Sequence, residues 1–295
     1  MLARVPSLAG TPRQITPLLG GLTNQNFKVI TPDGQFVARV FSDGEDLLAI
    51  DREREYRNSV LAAAAGVGAP VVEYRPHDRV LVLGFIEGKT LTNADVGDAV
   101  MLGRIATACK TLHRAGRFTG DFDMFDVQAS YYATAKSAGM RIPAGYDDLR
   151  PAFAAARQAL AARAEGDVPC NNDLLAANFI DDGDRIWLID YEYSGNNDPC
   201  FELGNIAGEC RLDADALAAL VTAYYGRPRR SRIARARLFS LVGAYGWTLW
   251  GAIQHSASHL DFDFWAWAME RFDAASAGFR SPSFRQLLTE AQGED

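Results

Sequence analysis

Apolar and polar positions alternate with period two in FKVI and QFVARVF, two stretches separated by Pro32-Asp33-Gly34. That period predicts strands, and Pro-Asp-Gly at the break predicts a hairpin. Residues 46–66, DLLAIDREREYRNSVLAAAAG, change to a helical pattern, with charge early, apolar spacing later and Gly66 as the stop. APVVEY and RVLVLGF follow as short strands split by a polar turn at Arg75 to Asp78. Strands, one helix and further strands predict a small antiparallel sheet with a helix packed on it.

After IEGKTL (Ile86 to Leu91) the pattern turns helical. VGDAVMLGRIATACKTLHRAG, DVQASYYATAKSAG and YDDLRPAFAAARQALAARAEG predict three helices. NFIDDGDRIWLID predicts a hairpin with Asp-Gly at its tip and Asp190 at a strand end. Helices dominate from Phe201 to Phe279. The expected class is α+β with two lobes, residues 1–86 and 87–295, and a ligand cleft between them.

The chain has 295 residues, 48% of them hydrophobic, and a net charge of -7. That balance argues against nucleic acid, which needs clustered Lys and Arg. The one basic run, RPRRSRIARAR at Arg227 to Arg237, reads as a solvated helix start. Cys109, Cys170, Cys200 and Cys210 show no CxxC spacing and read as reduced thiols. The opening MLARVPSLAGTPRQI lacks the apolar run of a signal peptide, and no stretch of eighteen apolar residues suggests membrane insertion. A cytoplasmic location is expected.

Within CNNDLLAANFIDDGDRIWLIDYE, Asp173 and Asn178 stand five apart, and Asp190 closes an apolar strand twelve further on. The spacing matches a kinase catalytic loop, H-R-D-x-x-x-x-N followed by a metal-binding Asp, with Asn171 where that pattern has His. Asp173 can orient and accept the proton of an attacking hydroxyl. Asn178 and Asp190 offer the oxygen ligands that Mg²⁺ takes. Asn171 can brace the loop, since an amide both donates and accepts. Arg39 in FVARVF can hold phosphate oxygens, with Glu55 as the acid that orients it and Glu53 as runner-up. Glycines in GGLTNQNF, Gly21 among them, let backbone N–H groups approach phosphates.

These segments, with DREREYRN, VGAPVV, LHRAG, LIDYEYSGNNDPCFELGNIAGE and GWTLWGAIQ, resemble the choline/ethanolamine kinase family. That family lies within the aminoglycoside-phosphotransferase-like group and has a protein-kinase-like fold. The resemblance covers nearly the whole chain, which is short beside eukaryotic members. It implies that Asp173 is the base, that Asn178 and Asp190 are the Mg²⁺ ligands, and that Arg39, Thr23 and Asn24 serve the ATP phosphates. Leu83, Phe85 and Ile86 would border the adenine.

Four of the five tryptophans lie between Trp247 and Trp267. Trp247 and Trp250 share a helix face, and aromatic faces attract a quaternary ammonium. Such stripes are also ordinary core, and Trp265 is read that way. The resemblance places the substrate cation among Trp247, Trp250, Phe264, Trp267 and Glu209. Glu192 either supports the site or faces solvent. Asp198 reads as a helix cap and His113 as a partner of a helix C-terminus. The implied activity is ATP- and Mg²⁺-dependent phosphorylation of choline or a related amino alcohol, with a homodimer as an open assembly. Aminoglycoside, thiamine or sugar kinases and a non-catalytic nucleotide-binding pseudokinase are the alternatives.

Overall fold

The computed structural model describes residues 2–9, 13–18, 20–41, 45–164 and 166–295. The alternating stretches form β1 (Gln14–Leu18), β2 (Asn24–Thr31) and β3 (Gly34–Phe41). Helices α1 (Glu45–Leu48) and α2 (Arg52–Ala64) come next, then β4 (Val71–Arg75) and β5 (Val80–Gly84). The strands make one antiparallel sheet in the order β1-β2-β3-β5-β4. Period two sorts the side chains of β3. Ala38 joins Val29, Val80 and Val82 in a small core closed by Val5 and Leu8 from the N-terminus. Val37 and Arg39 line a cleft on the opposite face.

The single helix expected over 46–66 is two. Ala49 takes a left-handed φ of 54°, which ends α1. Asp51 then caps α2 by accepting from the Arg54 amide. A carboxylate at that position satisfies free helix N–H groups and favours a fresh start over continuation.

A short β6 (Lys89–Thr90) opens the second half. The helices α3 (Asn93–Val96), α4 (Ala99–His113), α5 (Met124–Ser137) and α6 (Arg150–Ala161) follow it. The third expected helix ran on to 166; α6 stops at Ala161, and Glu165 lies outside the described residues. β7 (Val168–Cys170), β8 (Phe179–Asp181), β9 (Ile186–Leu188) and β10 (Gly195–Asn197) form two small sheets, β6-β8-β9 and β10-β7. The expected Asp-Gly hairpin is β8–β9, with Gly183 at a φ of 97°.

Helices α7 (Pro199–Glu209), α8 (Ala214–Tyr225), α9 (Arg230–Ala257), α10 (Phe264–Phe279) and α11 (Phe284–Ala291) complete the lobe. The 28-residue α9 is its axis, and α5, α7, α10 and α11 pack around it. α7 lies so close to α9 that a Cβ on Gly204 would stand 2.2 Å from the Ala236 carbonyl oxygen.

The basic run departs from a solvated face at Arg235, which is 1% exposed. Its guanidinium pairs with Asp198 and donates to the Leu160 carbonyl. The other Asp198 oxygen caps α7 at the Cys200 amide. A carboxylate held in that buried position needs a counter-charge, which Arg235 provides. No helix among the described residues is long and apolar enough to cross a membrane. The architecture is a small antiparallel-sheet lobe followed by a mainly helical one, a two-lobed kinase-like fold.

Candidate active site

The loop from β7 to β8 carries Asp173 and Asn178, and the chain leaving β9 carries Asp190. Several hydrogen bonds fix the three. Asn171 is fully buried. Its amide nitrogen donates to the carbonyls of Ile189 (3.1 Å) and Asp190 (2.9 Å), and its oxygen accepts from the Asp173 backbone (3.0 Å). Asn171 thus ties the Asp173 segment to the Asp190 segment. Asn178 donates to the Asp173 carbonyl at 2.8 Å, which leaves its own oxygen for the cleft. Glu202 on α7 receives the amides of both Asn171 and Asn172. Asn172 and Asp190 both take left-handed φ values, 68° and 66°. Such strain persists only where surrounding bonds over-determine the backbone.

Two cavities meet here. One, of about 330 Å³, lies under the sheet and includes Asn26, Val37, Arg39, Glu55, Leu83, Phe85 and Ile86 in its wall. The other, of about 440 Å³, lies in the helical lobe and includes Asp173, Tyr193, Glu209, Trp247, Trp250 and Trp267. Gly20, Gly21, Ala177, Asn178 and Asp190 line both. Gly21 admits no side chain, since a Cβ would approach the Asn24 carbonyl oxygen to 2.6 Å.

Arg39 donates to Glu55 at 2.7 Å and to Asp190 at 2.5 Å. Burial alone would lower the Arg39 pKa, but Asp190, Glu55 and Glu192 more than reverse this, so its charge is secure. Glu53, the runner-up, pairs instead with Arg57 on the surface. Two expected phosphate contacts lie elsewhere. Thr23 and Asn24 both donate to Glu192, each at 2.8 Å, because its buried carboxylate has to be satisfied. Neither lines the cavity that holds Arg39. Glu192 does not face solvent; Arg52 also reaches it, at 3.2 Å, and Arg52 joins Glu55 at 2.7 Å.

In the second cavity, Trp250 donates its indole N–H to Tyr193 and Trp247 donates to Asn205. Their ring faces are therefore fixed. Phe264 is not in the wall; it is 2% exposed and packs edge-on behind Trp250, with centroids 5.8 Å apart. The first residue of α10 points its ring into the apolar interior. Trp265 lies outside the cavity, under the Arg141 guanidinium. Glu209 and Trp267 both engage Arg271: the guanidinium pairs with the carboxylate and lies 3.2 Å from the indole centroid.

Asp173 sits among carboxylates. Burial, then Asp190, Glu209 and Glu192, push its pKa well above the usual carboxylate range, with Arg271 opposing. Burial and the same kind of crowding raise Glu192 to about 7, against Arg52 and Arg39. Asn178 and Asp190 present an all-oxygen donor set at the junction of the cavities, the chemistry that suits a hard divalent cation.

Sequence reading missed Arg52, Tyr193, Glu202 and Arg271 as members of this site. Arg52 stands three residues before Glu55 and Arg271 four after Trp267, spacings that share a helix face. Tyr193 and Glu202 carried no such signal, because long-range packing brings them in. His113, at the end of α4, instead joins Tyr224 at 2.8 Å and is buried beside Cys170 and Glu202.

Residues 15–223 match the family model described as choline/ethanolamine kinase. A choline/ethanolamine kinase family protein from Mesorhizobium loti has a crystal structure 32% identical in sequence to this chain. It superposes with a TM-score of 0.86, over 99% of this chain and 96% of its own. The choline kinase LicA from Streptococcus pneumoniae is 25% identical, with a TM-score of 0.78 over 92% and 95%. Ethanolamine kinase 2 of Rattus norvegicus is 27% identical over 80% of this chain and 68% of its own length.

Proposed function

The chain belongs to the choline/ethanolamine kinase family, and on that premise we propose that it transfers the γ-phosphate of ATP to the hydroxyl of choline or a close amino alcohol. One observation carries the reading: a charged cavity under the sheet and a tryptophan-walled cavity meet at Asn178 and Asp190, with Asp173 beside the junction. A phosphoryl group held on one side then faces a hydroxyl held on the other, the positioning on which this chemistry depends.

Each residue has a task in that arrangement. Arg39, held by Glu55, fixes phosphate oxygens, while the backbone at Gly21 lies against them. Leu83, Phe85 and Ile86 border the base. Asp173 orients the alcohol and accepts its proton, and the carboxylates around it strengthen it as a base. Asn178 and Asp190 would hold Mg²⁺ through oxygen; the bound ion supplies neutralisation of charge on the phosphates. Trp247, Trp250 and Trp267 offer ring faces to a trimethylammonium group, at roughly 0.5–2 kcal/mol each. Thr23 and Asn24 position Glu192 and act on phosphate only indirectly. The lobes divide at residues 86 and 87, nucleotide side first, and the protein works in the cytoplasm.

Purified protein with ATP, Mg²⁺ and a panel of choline, ethanolamine and related alcohols should release ADP, and Asp173→Ala should not. Absence of ADP across the whole panel would end this reading.

A further inference from the structure

We propose that Arg271 is a resident cation in the ammonium subsite, and that a cationic substrate binds by displacing it. The inference rests on the tryptophan-walled cavity being the alcohol site. There the Arg271 guanidinium carbon lies 3.2 Å from the centroid of Trp267 and its nitrogens engage both oxygens of Glu209. A ring face and a carboxylate are the two surfaces that a substrate ammonium requires. Both are occupied by one side chain, a turn beyond Trp267 on α10, which reaches across to Glu209 on α7.

Two cations cannot share that carboxylate at low cost in a site shielded from water. Arg271 is 15% exposed and Glu209 11%, so screening is limited. Arg271 also has somewhere to go. Behind it lies a separate cavity of about 380 Å³ whose wall includes Asn93, Asn205 and Glu270, whose carboxylate Arg211 also engages at 2.5 Å. Glu209, Trp267 and Arg271 line both this cavity and the alcohol site, so the arginine forms part of the partition between them. Rotation of its stem would carry the charge from one side to the other.

The device has two consequences. Without substrate, Arg271 balances Glu209 and eases the repulsion on Asp173. With substrate, only a molecule that carries its own positive charge can replace it. Neutral alcohols that would otherwise fit near Asp173 leave Glu209 and Arg271 paired and do not reach the Trp267 face.

Tetramethylammonium has no hydroxyl and cannot turn over, so it isolates binding. Calorimetry or tryptophan fluorescence should show it binding Arg271→Ala about tenfold more tightly than wild type, as expected if the arginine fills the site some nine-tenths of the time. Methylguanidinium should bind Arg271→Ala and not wild type. Equal or weaker tetramethylammonium binding by the variant would overturn the proposal, since Arg271 would then be building the site by holding Glu209. Where Arg271→Ala melts too early to assay, Arg271→Met keeps the stem and answers the same question. ADP release by wild type with amino alcohols is scored separately. Turnover without the gain in binding sinks this inference alone, while the gain without turnover upholds the cation site and sinks only the kinase reading.

Discussion

Asn171 stands where the kinase pattern has histidine, and its geometry says what that position does. The side chain makes three hydrogen bonds, all to backbone of the Asp173 and Asp190 segments. A neutral imidazole offers one donor and one acceptor, so it keeps part of this brace. Asn171→His should change kcat by less than about tenfold, or about 1.4 kcal/mol. Asn171→Leu, which leaves two carbonyls and an amide unpaired, should lower kcat well beyond that. Steady-state rates of the two variants decide it. At the same scale, all four cysteines are free and buried. Burial raises the Cys109 and Cys170 thiols well above their usual value and Cys210 to about 12. The reactive thiolate is then scarce in the folded state near pH 8 and returns on unfolding. Iodoacetamide should label the native protein negligibly and the urea-unfolded protein at all four positions, as counted by mass spectrometry.

Among elements, α7 holds the catalytic loop through Glu202 and is itself packed closely on α9. Gly204→Ala gains helix propensity of up to about 1 kcal/mol. It also drives a methyl into the Ala236 carbonyl and to 2.9 Å from the Ser240 nitrogen, both rigid backbone. Overpacking of this kind costs about 1–3 kcal/mol and should win. Urea unfolding should show a lower midpoint with an unchanged slope. Elements also show which parts of the fold the sequence carries. The β2–β3 and β8–β9 hairpins are legible because turn chemistry and alternation are local. Arg39 is conspicuous as a charge inside an apolar strand, and Glu55 lies on the α2 face that meets it. The break between α1 and α2 is hidden, because the charged residues around it suit a helix as well as a cap. β7 and β10 are three residues each and pair across an intervening 24, so no periodic signal marks them.

At the level of the whole molecule, Glu192 joins three regions. The Thr23–Asn24 turn, Arg52 on α2 and the chain after β9 converge on one carboxylate. Polar residues in a glycine-rich turn suit a phosphate contact, and only the folded chain reveals the acid that Thr23 and Asn24 serve. For Phe264, ring type says nothing about which side of Trp250 a ring occupies. Glu192→Ala should leave the side-chain amide of Asn24 with only its 3.2 Å bond to the Thr23 hydroxyl and reduce stability by about 1–3 kcal/mol. Limited proteolysis should then cut near residue 22 faster than in wild type. An unchanged digestion pattern would show that the turn is held by other contacts.

The stretch from Asp190 to Tyr193 has a consequence for how this site tolerates change. Its four successive side chains face four different surroundings: Arg39, the ring of Phe118, the Thr23 turn and the indole of Trp250. A replacement at one position keeps the other three side chains on their own partners, although Asp190 and Glu192 still act on each other through their charges. A single-residue insertion or deletion re-addresses all four together, putting a phenol where the carboxylate belongs and the reverse. Drift along this segment can therefore proceed by substitution alone, with length effectively frozen while identity is tested one position at a time.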